Sequence, residues 1–159
     1  MKITILAVGK IKEKYLREGI GEFTKRLTPF CRLEIIEIGE EKMPDNPSSA
    51  EKLKTIGREG ERLLKSLRLN SYPIVLDVNG SQLSSEDLAS RLDALGLAGH
   101  SDLTFIIGGA FGLAPEVINT AKERLSFSRM TFTHQMIRLL LVEQIYRAFK
   151  ISRGESYHH

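Results

Sequence analysis

The stretch LTFIIGGAFG, residues 103–112, decides the fold, because a run of large apolar residues passes directly into two glycines. Consecutive branched and aromatic residues of this kind are typical of a buried β-strand. Gly108 and Gly109 then place backbone without Cβ atoms at the end of that strand, where a ligand could approach closely. A tight turn from strand to helix is the alternative interpretation of an isolated Gly-Gly pair.

Similar apolar runs recur along the chain and alternate with helical patterns. Predicted strands cover residues 2–8, 32–38, 73–78, 103–107 and 125–128. Predicted helices cover residues 12–27, the segments that follow capping sequences at 48–51 and 84–87, and residues 115–124 and 134–150. Asn79-Gly80 predicts a turn after the third strand. This alternation predicts one α/β domain over residues 1–159, with a mainly parallel sheet flanked by helices.

Composition limits the class of protein. A chain of 159 residues that is 42% hydrophobic and 27% charged suits one domain with its own core. It has no apolar stretch long enough to span a bilayer and no signal-peptide cleavage site. The single cysteine, Cys31, excludes an internal disulfide and fits a reducing cytoplasm. No Cys/His spacing suggests zinc, and a net charge of +3 permits a nucleic-acid partner without requiring one.

The last predicted helix is apolar around most of its circumference. Its charges are confined to a narrow stripe formed by Glu143, Arg147 and Lys150. A helix of this kind is buried on more than one side. One side can pack against the sheet, and we expect the other to pack against a second copy of the chain in a homodimer.

Three strand ends predict where a ligand would bind. Ligands of parallel sheets lie beyond the carboxyl ends of the strands, which here are residues 76–78, 107–109 and 127–131. The glycine patterns of dinucleotide-binding folds and of P-loop NTPases are absent. A polar and aromatic loop leads into the last helix, where Thr133 would cap the helix and His134 would lie in its first turn.

Several segments together resemble the RlmH family of small bacterial SPOUT-class methyltransferases. They are Ile107-Gly108-Gly109 with Phe111-Gly112-Leu113, LSFSxMTFxHQ at 125–135, LxEQxYRA at 141–148, and Tyr157-His158. Val8-Gly9-Lys10 fits as well, so the resemblance covers the whole chain. It implies S-adenosylmethionine-dependent methylation of N3 of a pseudouridine in 23S ribosomal RNA within the assembled ribosome. It also implies a cytoplasmic homodimer with a C-terminal trefoil knot and no metal or membrane.

The same resemblance implies the cofactor-binding residues, and the chemistry of methyl transfer and the positions of the cations suggest the others. The predicted cofactor-binding residues are Leu76, Gly108, Phe127, Ser128, Arg129, Met130, Thr131 and Phe132. The predicted catalytic residues are Tyr157, His158 and Arg147, with His158 as proton acceptor and Tyr157 against the target base. The predicted RNA-binding cations are Lys10, Lys12, Arg138 and Arg153. A tail this polar is disordered by default, so we expect it to order against the other subunit's cofactor pocket, in a composite active site, or against RNA.

Three other functions are alternatives to this interpretation. A SPOUT methyltransferase could act on transfer RNA or another RNA with the same fold and cofactor. A non-catalytic RNA-binding ribosome assembly factor could keep the fold without the chemistry. A nucleotide-binding regulatory domain is disfavoured because its glycine pattern is missing.

Overall fold

Five strands and five helices alternate in the computed structural model, which describes residues 1–157. They are β1 (Lys2–Val8), α1 (Lys14–Leu27), β2 (Arg32–Ile38), α2 (Ser49–Ser66), β3 (Tyr72–Gln82), α3 (Ser85–Leu97), β4 (Asp102–Ile107), α4 (Pro115–Thr120), β5 (Glu123–Ser126) and α5 (Met136–Ser152). The predicted alternation is confirmed, with several element ends displaced by a few residues. None of the helices in residues 1–157 has both the length and the hydropathy needed to cross a membrane.

All five strands form one parallel sheet in the order β2-β1-β4-β3-β5. β1 and β4 lie in its interior, and every residue from Ile3 to Val8 and from Leu103 to Ile107 is buried. Parallel strands covered on both faces have continuous apolar sequences, which explains the run at residues 103–107. The predicted parallel α/β class is confirmed. The trefoil knot stays a prediction, because strand order does not define which segment threads which loop.

Helices cover both faces of the sheet, and alternate residues of β1 point to opposite sides. Ile3 and Ile5 belong to a core cluster that includes residues of α1, α3 and α5. Leu6 and Val8 belong to a second cluster that includes residues of α2 and α4. The molecule is therefore a three-layer sandwich, and the carboxyl ends of its strands all open at one edge.

α5 lies on the sheet between α1 and α3. Leu141 and Ile145 are fully buried. Aromatic residues Phe23 and Phe30 each place their ring centroid 5.9 Å from that of Tyr146. Neighbouring elements of the same chain therefore cover much of the apolar circumference of α5. The apolar pattern of α5 can be explained without a second copy of the chain. The homodimer prediction therefore needs other support.

The turn predicted at Asn79-Gly80 is wrong, because β3 continues through it to Gln82. The pairing of β3 with β5 shifts register instead, so that Leu76 and Ser81 both lie opposite Leu125. A Cβ atom at Gly80 would lie 2.6 Å from the carbonyl carbon of Arg124. The glycine therefore permits a close approach of two strands at a bulge and does not reverse the chain.

Candidate active site

A cleft of about 1260 Å³ opens at the carboxyl edge of the sheet, beyond β3, β4 and β5. This is the position that the strand ends predicted. Its walls are residues 76–79, 107–113, 124–128 and 130–135, together with Glu13, Tyr15, Leu16, Ile118 and Ile137. Ligand pockets usually measure about 300–1,000 Å³, so the cleft has room for a cofactor and part of a second molecule.

The glycines after β4 form a tight turn that walls the cleft. A Cβ atom at Gly108 would lie 2.7 Å from the carbonyl oxygen of Gly112. The Gly112 N–H donates a hydrogen bond of 3.1 Å to the carbonyl of Gly109, and Gly112 has a φ of +90°, where glycine is favoured. Gly108 and Gly109 therefore lie in a tight turn. This turn exposes backbone without side chains to the cleft.

Glu59 of α2 is buried directly behind this turn, with 4% of its surface exposed. Burial raises the pKa of its carboxyl to about 6, against the opposing effect of a hydrogen bond from the Glu41 backbone, and the charge of Glu40 acts in the same direction as burial. Sequence reasoning missed this residue. The available signal was spacing, because position 59 falls three residues after Ile56 and four before Leu63, on the apolar face of α2.

The loop between β5 and α5 forms the opposite wall of the cleft. The hydroxyl of Ser126 donates to the carbonyl of Ser128 at 3.0 Å, and the Met130 N–H donates to the Ser128 hydroxyl at 3.0 Å. The Thr133 hydroxyl accepts from the Met136 N–H at 3.1 Å, but the N-cap of α5 is Gln135, which makes no side-chain capping hydrogen bond, so the predicted helix start is two residues too early. These hydrogen bonds hold an exposed loop in a defined path.

The structure brings most of the predicted cofactor residues together. Those that line the cleft are Leu76, Gly108, Phe127, Ser128, Met130, Thr131 and Phe132. Arg129 points elsewhere, is exposed and has no ion-pair partner in residues 1–157.

Arg138 cannot contact RNA, so the prediction that it is an RNA-binding residue is wrong. The residue is fully buried, with Nη1 donating to Glu37 Oε2 at 2.6 Å. Nη2 donates to the carbonyls of Val8 at 3.2 Å and Gly9 at 3.1 Å. Burial lowers the pKa of Arg138, against the opposing effect of Glu37. Its guanidinium ties the end of β1 to α5, and the signal was an arginine inside the apolar run at residues 136–142.

The other predicted cations lie in different surroundings. Lys10 is exposed and has no ion-pair partner in the described chain. The Lys12 N–H donates to Gln135 Oε1 at 3.0 Å, so this segment is fixed at the rim of the cleft. Arg153 lies over the Phe30 ring, 4.4 Å from its centroid. Burial lowers the pKa of His134 in the cleft wall, and the nearby Arg138 and Lys12 act in the same direction.

Tyr157 and Arg147 contact each other but do not line the cleft. The Arg147 guanidinium lies 4.9 Å from the Tyr157 ring centroid, and its Nη1 donates to the Tyr157 carbonyl at 3.3 Å. Tyr157 also packs against Tyr146, with ring centroids 4.8 Å apart. Burial, with help from Glu143, raises the pKa of the Tyr157 phenol. His158, the third predicted catalytic residue, lies outside the described residues, as does His159.

A second groove of about 800 Å³ lies beside β3, β5 and α3. Two of its arginines are paired: Glu123 accepts from Arg91 Nε at 2.8 Å, and Asp77, outside the groove, accepts from Arg124 Nε at 3.1 Å. Lys122 also lines the groove and has no ion-pair partner in the described residues.

The part of the chain that the structure describes shows neither a cluster of metal ligands nor an exposed thiol. Residues 1–157 contain no group of three or more His, Cys, Asp or Glu side chains that could hold a metal ion. Cys31 is buried, and burial raises the pKa of its thiol to about 11, so it is not a nucleophile at neutral pH.

The fold and the cleft define an α/β protein with a ligand-sized cleft between a glycine turn and the loop that enters its last helix. The family model described as predicted SPOUT methyltransferase matches residues 1–158. Proteins named ribosomal RNA large subunit methyltransferase H are 57% identical in Halothermothrix orenii, 55% in Carboxydothermus hydrogenoformans and 54% in Clostridioides difficile. Each alignment covers 99% of both chains. The chain therefore belongs to the SPOUT methyltransferase family. It is similar over its whole length to members named ribosomal RNA large subunit methyltransferase H.

A solved structure supports the fold. A probable methylase family protein from Haemophilus influenzae Rd KW20 matches with a TM-score of 0.52 and 12% sequence identity. The match covers 99% of this chain and 70% of that one. The resemblance on which the sequence predictions rested is confirmed.

Proposed function

We propose that this protein transfers a methyl group from S-adenosylmethionine to N3 of a pseudouridine in 23S ribosomal RNA. The observation that carries this proposal is the end-to-end similarity to ribosomal RNA large subunit methyltransferases H, together with a cleft formed by the predicted residues. The substrate is the assembled ribosome in the cytoplasm.

The cleft residues suit this cofactor. The turn at Gly108 and Gly112 presents backbone groups without side chains, and Leu76 and Phe127 supply apolar walls. When bound, S-adenosylmethionine supplies a methyl group that is electrophilic because it is attached to a sulfonium. This chemistry needs no metal, and the volume of the cleft leaves room beside the cofactor for a base.

The protein must activate N3 and align it. N3 of the ring carries a proton and is a poor nucleophile until that proton is lost. Alignment of N3 with the methyl group contributes much of the rate. In our proposal His158 accepts the proton, while Arg147 stabilises the negative charge that develops on the ring oxygens. Tyr157 contacts the target base, and its hydroxyl can donate a hydrogen bond to the base edge.

Tyr157 lies away from the cleft of its own chain. Tyr157 packs on Tyr146, whereas the cleft lies beside the start of α5 at Ile137. The two positions are nine residues apart in the helix, or about 14 Å along its axis. This separation supports a homodimer in which the tail of one subunit completes the cofactor cleft of the other. Lys10, Lys12 and Arg153 are the cations that we assign to RNA contacts.

Transfer of labelled methyl groups tests the proposal. Purified protein and S-adenosylmethionine are incubated with ribosomes, large subunits and naked ribosomal RNA that lack the modification, and the labelled base is mapped. The proposal predicts label at N3 of a large-subunit pseudouridine in assembled particles. If the protein binds the cofactor but label appears only on another RNA, that RNA is its substrate and the assignment to 23S ribosomal RNA is wrong. Neither binding nor label would favour a non-catalytic assembly factor.

A further inference from the structure

Exposed apolar side chains gather around the cleft. Nine large hydrophobic residues are exposed in the described chain, and five of them line the cleft: Tyr15, Val78, Phe111, Met130 and Phe132. All three exposed aromatic residues are in this group. Because soluble proteins rarely expose apolar groups together without a use, the concentration marks an interaction surface.

Tyr15 differs from the other two aromatics. The ammonium of Lys52 lies over the Phe111 ring, 5.4 Å from its centroid, and Phe132 belongs to the loop assigned to the cofactor. Tyr15 is 60% exposed. In residues 1–157 its ring and hydroxyl make no ring, cation or hydrogen-bond contact. An aromatic face is therefore open at the end of the cleft formed by α1.

Tyr15 lies on a backbone segment that is held in place on both sides. The next residue, Leu16, is only 2% exposed and anchors the first turn of α1 in the core. The preceding segment is tied down by hydrogen bonds from the Ile11 N–H to Glu37 at 2.9 Å and from the Lys12 N–H to Gln135 at 3.0 Å. A ring held in this way loses little conformational freedom when a flat partner stacks on it.

The charges near Tyr15 indicate the kind of partner. Lys10 has no acidic partner in the described residues, and Lys12 and Lys14 form only exposed ion pairs, at 3.5 Å and 3.7 Å. An open aromatic face in a segment that also carries solvent-accessible cations matches an unpaired nucleotide, whose base stacks while its phosphate meets a cation.

We propose that Tyr15 stacks on an unpaired base of the RNA substrate at the end of the cleft formed by α1, with Lys10 near the adjoining phosphate. This inference rests on the proposed function. It adds a substrate-binding residue that belongs neither to the cofactor walls nor to the C-terminal tail.

RNA binding by variants of the full-length protein tests the inference without requiring turnover. Binding to labelled ribosomes that lack the modification is measured for wild type, Tyr15→Phe, Tyr15→Ala and the control Leu97→Ala, whose side chain is 90% exposed and outside the cleft. Loss of one stacked base predicts RNA affinity about five- to a hundred-fold weaker for Tyr15→Ala. Tyr15→Phe keeps the ring, so it should stay within about two-fold of wild type, as should Leu97→Ala.

Two further readouts identify the cause of any loss. Calorimetric affinity for S-adenosylmethionine and the oligomeric state in sedimentation should be unchanged in Tyr15→Ala. Unchanged RNA affinity in Tyr15→Ala overturns the inference. So does a loss of cofactor affinity or of the dimer, because Tyr15 would then be a cofactor or subunit contact. Wild-type protein that binds these ribosomes without methylating them rejects the proposed function alone, and wild-type protein that does not bind them rejects both.

Discussion

The carboxyl group of Glu59 occupies the space that a side chain at Gly109 would need. A Cβ atom at Gly109 would lie 2.9 Å from Glu59 Oε2 and 3.1 Å from Oε1. Helix α2 on one face of the sheet is therefore in contact with the turn that walls the cleft. A buried acid, which takes no direct part in the proposed chemistry, sets the shape of the cofactor site.

Gly109→Ala should weaken cofactor binding. The new methyl group would be forced against a buried carboxyl group, so either the turn or α2 must move. We expect cofactor affinity to fall at least about ten-fold, equivalent to ~1.4 kcal/mol, in titration calorimetry. The matched control is Gly57→Ala in α2, where a Cβ atom meets nothing within 4 Å. That control should raise stability by about 0.5–1 kcal/mol and leave cofactor affinity unchanged, and equal effects of the two variants would contradict this assignment.

Glu59→Gln should stabilise the protein at alkaline pH. The pKa of Glu59 is raised from 4.5 to about 6 in the folded protein, so the folded state binds the proton more tightly than the unfolded state. The resulting stability is present below pH 4.5 and is lost as pH rises through 6. Urea unfolding should therefore give Glu59→Gln an advantage of up to about 2 kcal/mol at pH 8, with little difference near pH 4. A variant that is less stable than wild type at pH 8 would be inconsistent with a desolvated carboxylate.

Arg138→Met should destabilise the fold without a specific effect on RNA. The substitution leaves the carbonyls of Val8 and Gly9 without their side-chain donor and Glu37 without its cation. We expect a loss of roughly 2–4 kcal/mol in urea unfolding, below the largest values for buried pairs because Glu37 is partly exposed. Arg153→Met, at an exposed cation, should cost less than about 1 kcal/mol. RNA affinity lost at unchanged stability in Arg138→Met would restore the original RNA-binding assignment.

Much of the fold was predictable because its signals are local. The apolar runs of β1 and β4 follow from burial on both faces of a parallel sheet. The capping sequence at Ser48 is realised, with its hydroxyl accepting from the Glu51 N–H at 3.1 Å. The position of the cleft followed from topology, since parallel strands end at one edge.

The errors occurred where distant segments decide the role of a residue. Asn79-Gly80 has a turn sequence, but the approach of β5 converts it into a bulge. Arg138 carries the positive charge of a typical RNA-binding residue, but Glu37, 101 residues earlier, pairs with it in the interior. The homodimer inferred from α5 stays a prediction, because α1, α3 and the sheet share its apolar circumference and periodicity within one helix cannot tell what covers the rest.

Subunit complementation tests the central claim most directly, because it requires methyl transfer and a composite site together. Gly108→Val blocks the cofactor turn, since its side chain would collide with the carbonyl of Gly112, and Tyr157→Ala removes the tail. The two chains are co-expressed with different tags, and purified heterodimers are assayed for methyl transfer to ribosomes. Each homodimer should be inactive, whereas the heterodimer should regain about half of wild-type activity through one intact site of two.

The matched control pairs wild type with a chain that carries both substitutions. In a composite arrangement each site of that heterodimer has one defect, so we predict no activity. If each subunit instead used its own tail, this control would retain about half of wild-type activity and the first heterodimer would have none. That reversed pattern would contradict the composite active site.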